Sequence, residues 1–143
     1  MTPRLLYRVV AGLLVFFAAG HTRGFLSPKD LTPEATVARE AMFNLHFPFM
    51  GSVCSWGGFY MGFGLFLTTY LLFTAVLAWQ MGKLSLFHAK ELKFLAWAFF
   101  ACQAVGTILC WKYFFIPPTM TSGLITLCLG LAAWKLGKPT LRG

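Results

Sequence analysis

The sequence predicts an all-α protein, a four-transmembrane-helix bundle with a short extra surface helix between the first and second spans. Two observations support this fold class. Of the 143 residues, 58% are apolar and only 11% are charged, whereas ordinary soluble domains carry roughly 25% charged residues. Residues 52–81 contain no charged side chain, and a helix of that length is long enough to cross a bilayer. We therefore predict a single integral-membrane domain over residues 1–143.

The first span is predicted at residues 5–21. This run is apolar except for Arg8, whose long side chain can reach the membrane interface from the first turns of a helix. The basic start, the apolar run and the small residues Ala18 to Gly20 are also typical of a signal peptide. We interpret the segment as a retained membrane helix.

A short helix is predicted at about residues 33–46, in a segment too charged to span a membrane. Thr32 supplies a hydroxyl at the N-cap, Pro33 occupies the first position, and Glu34 lies near the positive end of the helix dipole. We expect this helix to lie across the outer surface of the membrane.

Three further spans are predicted at residues 52–81, 93–113 and 118–136. A polar turn rich in lysine separates the second span from the third, and Pro117-Pro118 separates the third from the fourth. The sequence contains no internal repeat of the kind that inverted-repeat transporters show.

The positions of the basic residues predict the orientation of the spans. With a cytoplasmic N-terminus, eight basic residues fall on the cytoplasmic side and four on the outer side, which follows the positive-inside rule. The cytoplasmic residues are Arg4, Arg8, Lys83, Lys90, Lys93, Lys135, Lys138 and Arg142, and the outer residues are Arg23, Lys29, Arg39 and Lys112. We expect a multi-pass protein of the bacterial inner (cytoplasmic) membrane with both termini cytoplasmic. Topology explains the net charge of +8, so nucleic acid is not an expected partner.

Small residues recur at helical spacing on two of the spans and form what we call the packing strips. One strip comprises Gly51, Ser55, Gly58 and Gly62, and the other includes Gly123, Thr126 and Gly130. Small residues let helix backbones approach closely in lipid, and Gly58 and Gly62 form a GxxxG pair. We expect these strips to pack helices together. A stripe of aromatic rings at Phe59, Phe63, Phe66, Tyr70 and Phe73 lies beside the first strip and would face lipid, a partner or an apolar ligand.

The candidate ligand-binding residues are few. An aromatic pocket that opens outward would involve His21, His46, Trp56 and Tyr60, with Gln103 as a polar group near the middle of the third span. For the two histidines the alternatives are a half-solvated interfacial position, a metal site with Glu34 and Glu40, and a proton-transfer pair with one of these acids. For Trp56 and Tyr60 the alternative is an interfacial aromatic belt. For Gln103 it is a hydrogen bond to Thr or Ser of the fourth span, because an unpaired amide in lipid is costly.

The sequence predicts no catalytic residue, no metal site and no cofactor. No metal-binding spacing such as HExxH is present, and no CxxC or CxxCH motif occurs. Cys54 and Cys110 both fall near outer helix ends, which leaves a disulfide between them open.

A combination of motifs carries a family resemblance. His21-Thr22 closes the first span, and a glycine-aromatic entry follows the outer segment, with Phe47 to Gly51, Trp56 and FYMGFGL at 59–65. In these features the chain resembles a family of small uncharacterised four-helix bacterial integral-membrane proteins, and in outline it is similar to DoxX-like and sterol-isomerase-related four-span bundles. The resemblance implies a four-span bundle in a bacterial inner membrane and no activity. The membrane-embedded acids of the sterol-isomerase-related group are missing here.

Three functional hypotheses follow. The first is a non-enzymatic bundle that acts by packing, as an accessory subunit of a larger membrane complex or as a homo-oligomer. The second is a lipid-binding or isoprenoid-binding protein, or an enzyme, that uses the outward-facing aromatic and histidine pocket. The third is a small channel or transporter, which the lack of Asp, Glu, Lys and Arg at mid-membrane disfavours. The expected partners are membrane lipids and other membrane-protein subunits or a second copy of the chain.

Overall fold

The computed structural model describes residues 1–27 and 32–137. The predicted topology also used Lys29, Lys138 and Arg142, which lie outside the described residues. The elements in chain order are α1 (Pro3–Leu26), α2 (Pro33–Asn44), β1 (His46–Phe49), β2 (Ser52–Ser55), α3 (Trp56–Leu84), α4 (Ala89–Tyr113) and α5 (Ile116–Leu136). Helices α1, α3, α4 and α5 are long and apolar enough to cross a membrane, in agreement with the four predicted spans.

The short helix α2 begins as predicted. Thr32 is its N-cap, with an extended backbone (φ −65°, ψ 160°), and the Thr32 hydroxyl accepts a hydrogen bond from the Ala35 amide. Pro33 occupies the first turn, where its missing N–H costs nothing. The helix ends at Asn44 and buries no residue among those described.

The predicted start of the second span is wrong, because residues 52–55 form a strand. Strand β2 pairs antiparallel with β1, so that His46 faces Ser55 and Phe49 faces Ser52. Met50 (φ 48°) and Gly51 (φ 84°) form the two-residue turn, and positive φ at both positions is the signature of a tight hairpin turn. Helix α3 therefore begins at Trp56.

The hairpin shortens the first packing strip. Gly51 lies in the hairpin turn and Ser55 ends β2, so neither shares a helix face with Gly58 and Gly62. Ser55 instead caps α3, since its hydroxyl accepts a hydrogen bond from the Gly58 amide at 3.1 Å. An uncharged run does not distinguish a strand that leads into a helix from one longer helix.

The chain divides into two compact units. The first unit comprises Met1–Phe17 and Leu71–Gly143, and it contains most of the buried apolar residues. Its core residues repeat at helical spacing on four helices: Leu6, Tyr7, Val10, Ala11 and Leu14 on α1, Leu71, Ala75, Ala78 and Met81 on α3, Leu92, Ala96 and Phe99 on α4, and Ile125, Cys128, Leu129, Ala132, Ala133 and Leu136 on α5. This spacing places one face of each helix in the core.

Helices α4 and α5 pack against each other through the second packing strip. A Cβ atom at Gly130 would lie 3.0 Å from the Phe100 ring, and one at Gly123 would lie 3.9 Å from the Thr107 methyl group. Gly130 therefore makes room for an aromatic ring, as expected for a small residue at a helix interface.

The second unit comprises Ala18–Tyr70, with the end of α1, helix α2, the hairpin and the first half of α3. Ala18 and Phe25 are buried on α1. Helix α2 meets α3 where the Phe43 ring covers Gly57, since a Cβ atom at Gly57 would lie 2.5 Å from that ring.

Candidate functional site

The glycine pair of α3 has no neighbour among the described residues that fills the space beside it. Gly58 and Gly62 are both exposed. A Cβ atom at Gly62 would meet no atom within 4 Å, and one at Gly58 would meet only the capping Ser55 hydroxyl at 3.2 Å. The two glycines thus leave an open notch on the surface of an apolar helix, which we call the α3 notch.

The aromatic stripe beside the α3 notch faces outward. Phe63 is 75% exposed, Phe66 is 78% exposed and Phe73 is 63% exposed. Over its most apolar stretch, only 22% of α3 is buried inside the chain. Helix α3 therefore presents most of its apolar surface to whatever surrounds the protein.

His21 is held by the backbone of α3. Its Nε2–H donates to the Gly64 carbonyl oxygen at 3.1 Å. Because a carbonyl oxygen can only accept a hydrogen bond, Nε2 must carry a proton. One residue on, the Thr22 and Thr68 hydroxyls lie 2.8 Å apart, and each also reaches the carbonyl oxygen four residues earlier in its own helix. These contacts fix the end of α1 against α3 within the second unit.

Phe25 connects His21 to Tyr60. Its ring centroid lies 5.0 Å from that of His21 and 6.2 Å from that of Tyr60, the latter in an edge-to-face arrangement. A Cβ atom at Gly64 would lie 2.9 Å from the Phe25 ring, so the ring packs directly on the helix backbone. Two of the predicted ligand-binding residues thus belong to one packed aromatic group.

His46 and Trp56 lie at the hairpin. His46 lines a shallow groove of about 260 Å³ with Val53, Cys54, Ser55, Gly58 and Phe59. Its Nδ1–H donates to the Asn44 carbonyl oxygen at 2.9 Å, which leaves Nε2 as an acceptor. Trp56 contacts Phe47 and Phe59, with ring centroids 5.3 Å and 5.9 Å away.

Gln103 belongs to the first unit, where it joins α4 to α5. Its side-chain amide donates to the Ser122 hydroxyl at 3.0 Å, as predicted for an amide within an apolar span. The Thr107 hydroxyl lies 2.8 Å from both the Ser122 and the Thr126 hydroxyls. Gln103 is thus paired with a side chain of the neighbouring helix.

Comparison of the chain with protein-family models, curated proteins and solved structures finds no match. The resemblance to small four-span bacterial proteins therefore receives no support from relatives, and no residue role is transferred to this chain.

The described residues include few clustered metal-ligating side chains. Residues 1–27 and 32–137 contain no group of three or more His, Cys, Asp or Glu side chains that could hold a metal ion. None of Cys54, Cys102, Cys110 and Cys128 forms a disulfide bond.

Several residues that shape these contacts were not predicted from the sequence. In the second unit, α3 contacts the end of α1 through Gly64, which His21 and Phe25 touch, and through Thr68, which Thr22 touches. In the first unit, Gly82 is the point where α1 and α3 come close together. The single glycines carry no periodic signal. The i, i+4 spacing of Gly64 and Thr68 does carry a signal, since small residues that recur on one face of an apolar helix indicate a helix contact.

Proposed function

We propose that this chain is a non-enzymatic membrane-embedded helical bundle that acts by packing. In this proposal α3 binds a transmembrane helix of another subunit, either a second copy of the chain or a component of a larger membrane complex, in the bacterial inner membrane with both termini cytoplasmic. The observation that carries the proposal is the α3 notch at Gly58 and Gly62, exposed and unfilled on an apolar helix.

A glycine on a helix surface is favourable only where another helix packs against it. Glycine lowers helix stability by about 1 kcal/mol relative to alanine. A glycine that faces lipid makes no contact that offsets this cost. Against another helix, the same glycine lets two backbones approach and gain van der Waals contact. The outward rings of Phe63 and Phe66 would add contact area on either side of the notch. The middle of each of the four long apolar helices lacks Asp, Glu, Lys and Arg, which fits packing better than ion transport.

The test uses the full chain in mild detergent, with mass measured by native mass spectrometry. We expect the wild type to run as an oligomer or with a co-purifying membrane protein, and Gly62→Leu to release a monomer. Gly12→Leu on α1 is the matched control, since a Cβ atom there also meets nothing within 4 Å. A monomeric, partnerless wild type would refute the packing function.

A second candidate function rests on the groove at the hairpin. The groove combines the apolar side chains of Val53 and Phe59 with the Nε2 acceptor of His46, and sites for apolar ligands pair apolar walls with few polar groups. A lipid or isoprenoid would occupy it, with the protein as binder or enzyme. His46→Ala would then lower the amount of co-purified lipid, while Gly62→Leu, outside the groove, would leave it unchanged.

A further inference from the structure

One end of the first unit carries a concentration of positive charge. Helix α1 begins there, α3 ends and α4 begins there, and α5 ends there. The link between α4 and α5 at this end is direct, since a Cβ atom at Gly137 would lie 3.6 Å from the Lys93 side chain. Among the described residues at this end, one acid, Glu91, accompanies six basic residues: Arg4, Arg8, Lys83, Lys90, Lys93 and Lys135. Such a charge imbalance attracts anions, and at a membrane surface it attracts anionic lipids.

Within this end, α1 and α3 are in close backbone contact. A Cβ atom at Gly82 would lie 3.3 Å from both the Arg4 carbonyl oxygen and the Tyr7 Cβ, and 3.9 Å from the Arg8 Cγ. Arg4, Tyr7 and Arg8 are spaced i, i+3 and i+4, so they share one face of α1. The contact therefore places the Arg4 backbone and the Tyr7 and Arg8 side chains at the last turns of α3.

Two hydrogen-bond donors on this face are buried without a partner. Tyr7 is fully buried (0% exposed), and neither its hydroxyl nor the Nε of the half-buried Arg4 has a hydrogen-bond partner among the described residues. Arginine Nε–H can only donate, and the tyrosine O–H is also a donor. Buried donors of this kind are rarely left unpaired in proteins, because the cost is about 1–3 kcal/mol each. The partner that both lack is an acceptor.

Arg8 is held in position beside them. Its guanidinium lies over the Trp79 ring of α3, 5.0 Å from the ring centroid. Stacking on the ring face leaves the N–H edges of a guanidinium directed outward, where they can bind the oxygens of an anion. Arg8 is exposed, so these donors are accessible from outside the protein.

We propose that Arg4, Tyr7 and Arg8 form a binding site for a phosphate group, supplied by the headgroup of an anionic phospholipid. Phosphate oxygens are acceptors that suit both the unpaired donors and the paired N–H groups of arginine. The position at the ends of four apolar helices is where a lipid headgroup lies if these helices span a membrane. This site is independent of the α3 notch and holds whether or not the chain packs with another subunit.

The test titrates the delipidated full chain in a neutral detergent with phosphatidylglycerol, phosphatidylcholine or inorganic phosphate. Bound ligand is counted by native mass spectrometry and by the shift in melting temperature. We expect phosphatidylglycerol to bind more tightly than the other two, and Arg4→Gln and Tyr7→Phe each to weaken it roughly tenfold, the scale of a hydrogen bond to a charged group. Arg23→Gln is the control, since it makes the same charge change near the other end of α1.

Tyr7→Phe also separates binding from folding. The substitution removes only a hydroxyl without a protein partner, so the melting temperature of the delipidated variant should equal or exceed that of the wild type. Unchanged phosphatidylglycerol affinity in both Arg4→Gln and Tyr7→Phe would overturn the site and assign the two donors to water. Equal or tighter binding of inorganic phosphate, with the same sensitivity to the variants, would overturn the lipid as the source and leave soluble phosphate as the ligand.

Discussion

The side-chain amide of Gln103 on α4 donates to the Ser122 hydroxyl on α5 at 3.0 Å. Ser122 is 1% exposed, and its hydroxyl also lies 2.8 Å from that of Thr107, which reaches Thr126 in turn. A network of side-chain hydrogen bonds between two otherwise apolar helices has one favourable arrangement of partners. It therefore fixes the rotation and register of α4 against α5.

Ser122→Ala is expected to destabilise the protein by about 0.5–1.7 kcal/mol, the range found for hydrogen bonds between membrane helices. The substitution leaves the Gln103 amide and the Thr107 hydroxyl with one partner fewer. Thermal unfolding in detergent measures the effect. Thr119→Ala is the matched control on α5, because Thr119 is near the helix start and its hydroxyl donates to the Phe115 carbonyl oxygen just before its own helix.

The coupling of Gln103 and Ser122 can be measured separately. In a double-mutant cycle, Gln103→Leu combined with Ser122→Ala should cost less than the sum of the two single changes, because both remove the same hydrogen bond. Strict additivity would contradict the shared bond.

Gly82→Ala is expected to destabilise the protein by about 1–3 kcal/mol, as overpacking does. The added methyl group would lie 3.3 Å from the Arg4 carbonyl oxygen, and a helix backbone cannot move aside as a side chain can. Gly12→Ala, in open space on α1, should instead gain up to about 1 kcal/mol from helix propensity. Melting temperatures that move in the same direction for both variants would show that α1 and α3 do not meet at Gly82.

Met50→Asn is expected to stabilise the hairpin by a few tenths to about 1 kcal/mol. Met50 adopts φ 48°, a left-handed conformation that asparagine tolerates better, and Asn-Gly is the preferred pair for this turn. Gly51→Ala, at φ 84°, should lose stability by a similar amount. Amide hydrogen exchange in residues 46–55 measures the change in hairpin stability for each variant. If the two variants have the same hairpin stability, the two-residue turn is excluded.

The start of α2 should weaken at acid pH. The Glu34 carboxylate accepts hydrogen bonds from its own backbone amide and from the Thr32 hydroxyl, which lower its pKa below the ordinary value of 4.5. A lowered pKa in the folded state means that the stabilisation is fully present above pH 4.5 and is lost as the pH falls through the folded-state pKa. Amide chemical shifts in residues 33–36 should follow this titration. Glu34→Gln should abolish it, and Glu40→Gln later in the helix should preserve it.

The sequence predicts the helices better than their contacts. Apolar run length identifies α1, α3, α4 and α5 because a membrane-length helix needs little else, and Thr32-Pro33-Glu34 locates the start of α2 because capping is local chemistry. The β1–β2 hairpin was missed, although Pro48 and Gly51 are turn signals, because the uncharged run was assigned to a single helix. Strand pairing depends on residues on both sides of the turn.

The two packing strips show where sequence patterns stop being informative. Both have small residues at helical spacing, yet Gly130 packs on the Phe100 ring while Gly62 has no neighbour within 4 Å. Spacing identifies a face of a helix and does not identify its partner. The Gln103 hydrogen bond to the fourth span was predictable for a different reason, since a buried amide requires a partner and Ser and Thr are the nearest polar side chains.

The hairpin at His46–Ser55 has a consequence for solubility. Two strands alone are marginally stable in water, so this ribbon relies on the ring contacts of Phe47 and Phe49 with Trp56 and Phe59. If those rings were detached, the ribbon would loosen and its unpaired outer edges would become templates for strands from other molecules. The rings of the first turn of α3 thus hold the ribbon in its paired form.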